Sequence, residues 1–292
     1  MLSLHTNFAS LSAQNSIGNT QSKLSTSMTR LSTGFRVNSA MDDAAGLQIA
    51  TRLKAQTSGM TVAMSNTQNS TSMLQTAEGA FSEVTNMLVR MKDLATQSAD
   101  ASSSTDDRKA MQAEYDALGT ELYNVMTNTT FGGTKLLGDG TGTTGTLSSS
   151  LTFQIGASSS EKMTFDVTSN MTTLNAKLTG LSSNFAATSI TNASELTTGT
   201  AANGAIAKLE AAINDVSTLR SALGATANRL DHVNSNLSNI ATNTKAATGR
   251  IMDTDFATES SNMTASQMLL QAGTAMLKQS NSMSSMVMSL LQ

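Results

Sequence analysis

The 292-residue chain contains no cysteine, no proline and no tryptophan. Without thiols it can form neither a disulfide framework nor a thiolate metal site, which suits a protein that lives outside the cell or crosses between redox compartments. Average usage of about 5% would supply roughly 15 prolines in a chain of this length. Proline deletes a backbone donor and clashes with the preceding turn, so its absence permits long unbroken helices. Aromatic residues are scarce, eight Phe and two Tyr, and only 39% of the chain is hydrophobic. A thick globular core is therefore not expected. Packing has to rest on Leu, Ile, Val, Ala and the 19 Met, in thin helix-to-helix seams of an elongated molecule.

Charge is also sparse. Charged residues make up 13% of the chain and the net charge is -3, which gives neither a basic footprint for nucleic acid nor a strongly acidic tail. Self-association meets little repulsion. Residues 1–22 carry no Lys or Arg, and their Leu and Phe are separated by Ser, Thr, Asn and Gln, so this stretch matches neither a secretory signal nor a membrane span. Any export is expected by another route, and no membrane insertion is expected.

Catalytic constellations are missing in the same way. Gly140, Gly142 and Gly145 satisfy G-x-G-x-x-G, but the run follows a turn and precedes a strand, whereas phosphate binding needs a strand before it and a helix amino terminus after it. His5 and His232 are the only histidines, too far apart in sequence for a convincing metal pair, and Asp231 beside His232 faces no nucleophile elbow. Asp253 and Asp255 lack the glycine and terminal glutamate of a calcium loop and read better as a helix-start cap. Asp42 and Asp43 can be read as a carboxylate pair or as a helix-starting turn with Arg36 and Arg52 as candidate ion-pair partners; the turn is favoured. No enzyme activity, cofactor or metal is expected.

What the chain does have is helical periodicity, over residues 4–126 and again over 205–291. Leu74, Ala77, Phe81, Val84, Leu88, Met91 and Ala95 recur at alternating three- and four-residue steps, which keeps them on one helix face. Met111, Tyr115, Leu118, Leu122 and Val125 continue that spacing in a second helix, and the Ser, Thr and Asp of residues 100–107 read as the turn and cap between the two. The longest register runs through Leu219, Leu223, Thr226, Leu230, Val233, Leu237, Ile240, Thr244, Ala247 and Ile251, a coiled-coil seam in which the two threonines are either tolerated or set the register.

Each end of the chain bears a further stripe. Leu4, Phe8, Leu11, Leu24, Met28, Leu31 and Phe35 form one; Ala265, Leu269, Ala272, Met276, Met283, Met286 and Leu290 form the other. Both are amphipathic, yet the opposite faces hold almost none of the Lys and Glu of a solvated helix, so these faces are expected to find partners. Leu4, Phe8, Leu11, Leu24, Leu31, Leu269, Met276, Met283 and Leu290 are the candidate polymerisation residues. The middle is rich in Gly, Ser and Thr. Residues 151–155 and 163–167 alternate apolar and polar around 156–161, a β-hairpin pattern, and residues 170–203 are expected to form a short exposed excursion. The fold class is mainly α, with long helical arms from both chain ends and a small β-hairpin-containing centre.

The stretch RLSTGFRVNSAMDDAAG at 30–46 resembles the amino-terminal signature of the bacterial flagellin family, and TAEGAFSEVTNMLVRMKDLATQSAD at 76–100 continues it. LGATANRLDHVNSNL, RIMDTDFATESSNMT, QMLLQAGTAML and the final SLLQ resemble the carboxyl-terminal half of the same family. The resemblance covers residues 1–135 and 205–292.

It implies a subunit whose ends come together. Residues 1–42 with 252–292 would form the terminal helices of the filament's inner core, 43–130 with 205–251 a surrounding coiled-coil layer, and 131–204 a short outward-facing region without large outer domains. It also implies a secreted filament subunit for motility, passed unfolded through the flagellar type III export apparatus. The partners it implies are further copies of the chain, an export chaperone on the carboxyl helix at about 264–292, the hook-filament junction and filament cap proteins, and animal Toll-like receptor 5, whose contact positions match Arg90, Leu94 and Glu114. Gln292 departs from the arginine that often ends flagellins. A hook-filament junction protein is the alternative reading.

Overall fold

The computed structural model describes residues 7–138, 145–186, 190 and 193–290, with 283–290 entering as helix backbone. Its helices are α1 (Phe8–Thr33), α2 (Ala44–Ala99), α3 (Thr105–Asn128), α4 (Thr168–Thr179), α5 (Gly199–Met252) and α6 (Phe256–Leu290). Two antiparallel strand pairs accompany them, β1 (Thr130–Phe131) with β2 (Thr134–Lys135) and β3 (Leu151–Gln154) with β4 (Lys162–Phe165). The chain is thus mainly α with a small β region. Its contacts divide it into two units, Met1–Thr57 with Thr242–Gln292 and Ser58–Ala241.

Short polar side chains set the helix starts by accepting backbone N–H groups that have no partner within the helix. Asn7 Oδ1 accepts from Ser10 N at 3.1 Å, and Asp43 Oδ1 from Gly46 N at 2.8 Å. Ser104 and Asp107 form a reciprocal capping box on α3. Asp255 Oδ1 accepts from Ala257 N at 3.0 Å, so Asp43 and Asp255 act as caps. α1 stops at Gly34, whose φ of 75° closes the helix with a left-handed residue that a side chain would strain.

In the first unit α1 packs antiparallel on α6. Asn7 Nδ2 donates to the Ser280 carbonyl at one end (3.2 Å), and Arg30 meets Glu259 at the other (3.7 Å). The face of α6 turned to α1 carries Glu259, Met263, Ser266, Leu270, Gly273, Leu277 and Ser280, again at three- and four-residue steps. Leu24 and Ser27 are the buried positions of α1. A Cβ on Gly273 would stand 2.9 Å from Ile17 Cγ1, so the missing side chain is what lets the helices approach closely there. Beyond this pair the segments after α1 and before α6 are clipped together by backbone: Arg36 N donates to the Met252 carbonyl (2.6 Å) and Thr254 N to the Gly34 carbonyl (3.0 Å).

In the second unit the predicted seam of α2 is the core. Leu74, Ala77, Phe81, Val84, Leu88, Met91 and Ala95 are each at most 1% exposed. They share one cluster with Leu209, Val216, Leu219, Leu223 and Leu230 of α5 and with Tyr115, Leu122 and Met126 of α3. α3 buries Tyr115 and Leu122 of its expected seam, keeps Met111, Leu118 and Val125 partly buried against the same cluster, and buries Gln112, Asp116, Gly119 and Met126 beside them. Polar pairing explains the added buried positions. Gln112 Oε1 accepts from Leu196 N at 2.6 Å, and its amide donates to Asp116 (2.8 Å) and Glu195 (2.9 Å), so this face is satisfied inside the molecule.

The β3–β4 pair takes the register Leu151↔Phe165 and Phe153↔Met163, with Phe153, Met163 and Phe165 buried and Thr152 and Thr164 exposed. This is the period-2 alternation of the sequence. The expected exposed excursion over 170–203 is corrected. Met171, Leu174, Leu178, Leu181, Phe185 and Leu196 are at most 5% exposed and belong to the main cluster. They are buried because α4 presents Met171, Leu174 and Leu178 on one face, and Glu195 fastens the following loop by accepting from Ser183 N and Ser183 Oγ at 2.8 and 2.9 Å.

Candidate functional site

The terminal helix pair separates two kinds of face. Turned inward is the seam of Glu259, Met263, Ser266, Leu270, Gly273, Leu277 and Ser280. Turned outward is an apolar stripe on α6 made by Ala265, Met268, Leu269, Ala272 and Met276, all exposed, with Met268 at 60%, Leu269 at 62% and Met276 at 68%. Phe8 (77%) and Leu11 (58%) are open in the same way on α1. Side chains of this size left in water over several turns are an unmet drive for burial of about 1.5–3 kcal/mol each.

The polymerisation residues read from the sequence therefore distribute over both faces. Phe8, Leu11, Leu269 and Met276 lie on open surface, and Leu31 is half-buried. Leu24, at 8% exposure, is covered within the chain, on the same face of α1 as Ile17 and Ser27. Leu4 and the side chains of Met283 and Leu290 lie outside the described residues. Met268 is open surface that the sequence reading passed over. It stands three residues after Ala265 and four before Ala272, spacing that places it on the stripe.

Of the coiled-coil seam residues, Leu223 and Leu230 are at most 1% exposed, Leu237 is buried, and Val233 packs beside it against Met60, Ala63 and Ala241. Ile240 is corrected. It is 38% exposed, and its neighbour Ala241 takes the covered place at 9%, because the contact steps four residues from Leu237 where the heptad steps three. Thr226 is 6% exposed and its hydroxyl donates to the Ala222 carbonyl at 2.9 Å, so the polar atom is satisfied on its own helix. Arg220–Glu78 (2.7 Å) and Lys92–Glu210 (2.9 Å) bridge α5 and α2 at the surface.

The three receptor-matched residues do not share one surface. Arg90 and Glu114 form an ion pair at 2.7 Å across α2 and α3 and keep 50% and 45% of their side chains in solvent. Leu94 is 2% exposed and sits in the core cluster beside Ala95, because α2 is covered on two sides at this level.

The remaining motifs behave as local structure. Asp42 accepts from Asn38 N (3.1 Å) and Ser39 N (2.9 Å), and these amides hold its carboxyl below the ordinary carboxylate value. Asp255 is lowered by the Thr258 hydroxyl and by backbone amides. Gly140, Gly142 and His5 lie outside the described residues. Among the described residues no helix is long and apolar enough to cross a membrane, and no group of three or more His, Asp or Glu is placed to hold a metal ion.

Comparison with known proteins matches residues 4–143 to the bacterial flagellin N-terminal helical region and residues 206–291 to the bacterial flagellin C-terminal helical region. Flagellin A of Vibrio anguillarum is 32% identical over 384 aligned positions that take in 100% of both chains. Flagellin A of Vibrio cholerae is 33% identical, again over 100% of both. These alignments are longer than the 292 residues here, so the relatives carry residues that this chain lacks. A crystal structure of Bacillus cereus flagellin is similar with a TM-score of 0.47 and 29% identity, over 63% of this chain and 94% of that one. The two family regions take in both helical arms and the relatives run end to end with it: this chain belongs to the bacterial flagellin family, as a compact, non-enzymatic structural subunit of the extracellular flagellar filament.

Proposed function

We propose that this chain polymerises through its terminal helices, with residues 1–42 and 252–292 forming the filament's inner core, 43–130 and 205–251 the surrounding helical layer, and 131–204 facing outward. The observation that carries the reading is the outer stripe of α6, where Leu269 and Met276 remain more than 60% exposed although α6 is already paired with α1. The intramolecular seam uses the opposite face of α6, from Glu259 through Gly273 to Ser280, so the large apolar side chains of the outer stripe are left for other copies. Family membership supports export through the flagellar type III apparatus and a secretion chaperone that covers the carboxyl helix until export. It also supports contact with the hook-filament junction and cap proteins at the filament's two ends.

Purified protein seeded with its own sheared fragments, followed by electron microscopy, tests the reading. Long filaments growing from those seeds are the expected result. Growth only on seeds of another filament protein would mark the chain instead as a hook-filament junction protein, the alternative within the same export system.

The receptor reading now rests on Arg90 and Glu114, which offer Toll-like receptor 5 an exposed, preformed charge pair. Arg90→Ala is expected to weaken signalling by monomer about tenfold, the scale of one charged interface contact, with filament growth unchanged. Wild-type signalling by that variant in a receptor reporter assay would count against the assignment.

A further inference from the structure

Six of the 19 methionines fall within the 35 residues of α6: Met263, Met268, Met276, Met283, Met286 and Met288. Met268 and Met276 stand on the open stripe at 60% and 68% exposure. The rest of the fold shelters many of its thioethers: Met60, Met91, Met126, Met163 and Met171 are at most 4% exposed. A dissolved oxidant must touch sulfur to react, so the fold sorts the methionines into reactive and protected ones. The chain has no cysteine to intercept the oxidant first.

We infer that Met268 and Met276 are an oxidation-sensitive modification site, at which a peroxide converts the assembly stripe from apolar to polar and stops free subunits from joining a filament. This inference rests on the assembly face proposed above. The thioether sulfur attacks one peroxide oxygen, an S–O bond forms as the O–O bond breaks, and proton transfer releases water. Sulfur loses two electrons and the peroxide gains them.

The product sulfoxide is a strong hydrogen-bond acceptor, and burying it without a donor is unfavourable. Its neighbours on the stripe, Ala265, Leu269 and Ala272, have no side-chain donor. A leucine stripe would bury as well and would not respond to peroxide. A subunit already in a filament has this face covered, so sensitivity is confined to subunits not yet assembled. The change is reversible in principle, because methionine sulfoxide reductases return both sulfoxide epimers to the thioether.

The test treats wild-type monomer with hydrogen peroxide, maps sulfoxides by peptide mass spectrometry and measures the critical concentration for elongation from wild-type seeds. Met268, Met276 and the 97% exposed Met41 should oxidise ahead of Met91, Met126 and Met171. The critical concentration should rise about tenfold or more for each stripe sulfoxide and return after treatment with the two reductases. Met268→Leu/Met276→Leu protein should show the same critical concentration after peroxide as before it, whatever its untreated value. Unchanged elongation with both stripe methionines oxidised overturns the inference, as does a double variant that loses elongation as fully as wild type. Normal elongation by untreated Leu269→Asp protein would overturn the assembly face and the switch together, whereas the peroxide results bear on the switch alone.

Discussion

Tyr115→Ala is expected to lower the unfolding free energy of the unit formed by Ser58–Ala241 by about 3–5 kcal/mol, read as a shifted urea midpoint with unchanged slope. Tyr115 is fully buried in the shared cluster of α2, α3 and α5. It is the largest of the fully buried side chains, so its removal leaves a large void. Its hydroxyl also donates to the Leu181 carbonyl at 2.9 Å, which ties the loop after α4 to the core. Truncation therefore opens a cavity and strands a buried acceptor at once. A loss under about 1 kcal/mol would mean that the core collapses around the gap and is not the close-packed seam described above.

The conservative variant separates those two contributions. Tyr115→Phe keeps the ring and leaves the Leu181 carbonyl unpaired, at a cost of about 1–3 kcal/mol. It should also change the alkaline limb of stability. Burial, reinforced by the negative charges of Glu195 and Asp116, holds the phenol above its ordinary value of 10.0. The unfolded chain therefore releases this proton first, and stability falls as pH rises above that ordinary value, a decline that the Phe variant should show less steeply.

How much of this could be read from the sequence depended on what each pattern measures. The α2 seam from Leu74 to Ala95 was legible because large apolar residues at heptad spacing have no other way to be buried. The β3–β4 hairpin was legible because Phe153, Met163 and Phe165 alternate with polar residues. The full width of the buried α3 face was not, since it includes Gln112 and Asp116, whose burial depends on acceptors and donors some 80 residues further along the chain, at Ala193, Glu195 and Leu196. The same reason hid α4. Met171, Leu174 and Leu178 are three apolar residues among threonines and asparagines, too few to declare a core face until the loop behind them is fastened by Glu195.

The proposed assembly face was half legible. A count of large apolar residues finds the stripe of Leu269 and Met276 but cannot find a seam built from Ser266, Gly273 and Ser280, because small residues pack by close approach and leave little hydropathic signal. Leu24 lies on the α1 side of that seam, at 8% exposure. Leu94 shows the opposite failure: a match of positions to a family carries residue identity but no burial, and here α2 is covered at that level. Ile240 failed by one step, since a strict four-three count assumes a seam that never pauses, while the chain fills one position with Ala241.

Leu269→Asp/Met276→Asp protein is expected to form no filaments at any concentration that supports wild-type growth. Both side chains are exposed in the subunit, at 62% and 68%, so the lone molecule does not need them for its own packing. The helix-propensity difference between Leu or Met and Asp is only about half a kcal/mol per residue. Circular dichroism and the urea transition of the Ser58–Ala241 unit should therefore be unchanged. Assembly is different, because each added subunit would have to desolvate two carboxylates with no cation on the stripe to pair them. α6 holds a single basic residue, Lys278, and it is not on the stripe face. Several kcal/mol per buried carboxylate raises the critical concentration by roughly a thousandfold or more, since about 4 kcal/mol is a thousandfold in any binding equilibrium. The matched pair Leu269→Met/Met276→Leu keeps volume and polarity and should elongate as wild type does. If the Asp protein grew filaments from seeds at the wild-type critical concentration, subunits would have to join through some other surface, and the open stripe of α6 would be idle in the filament.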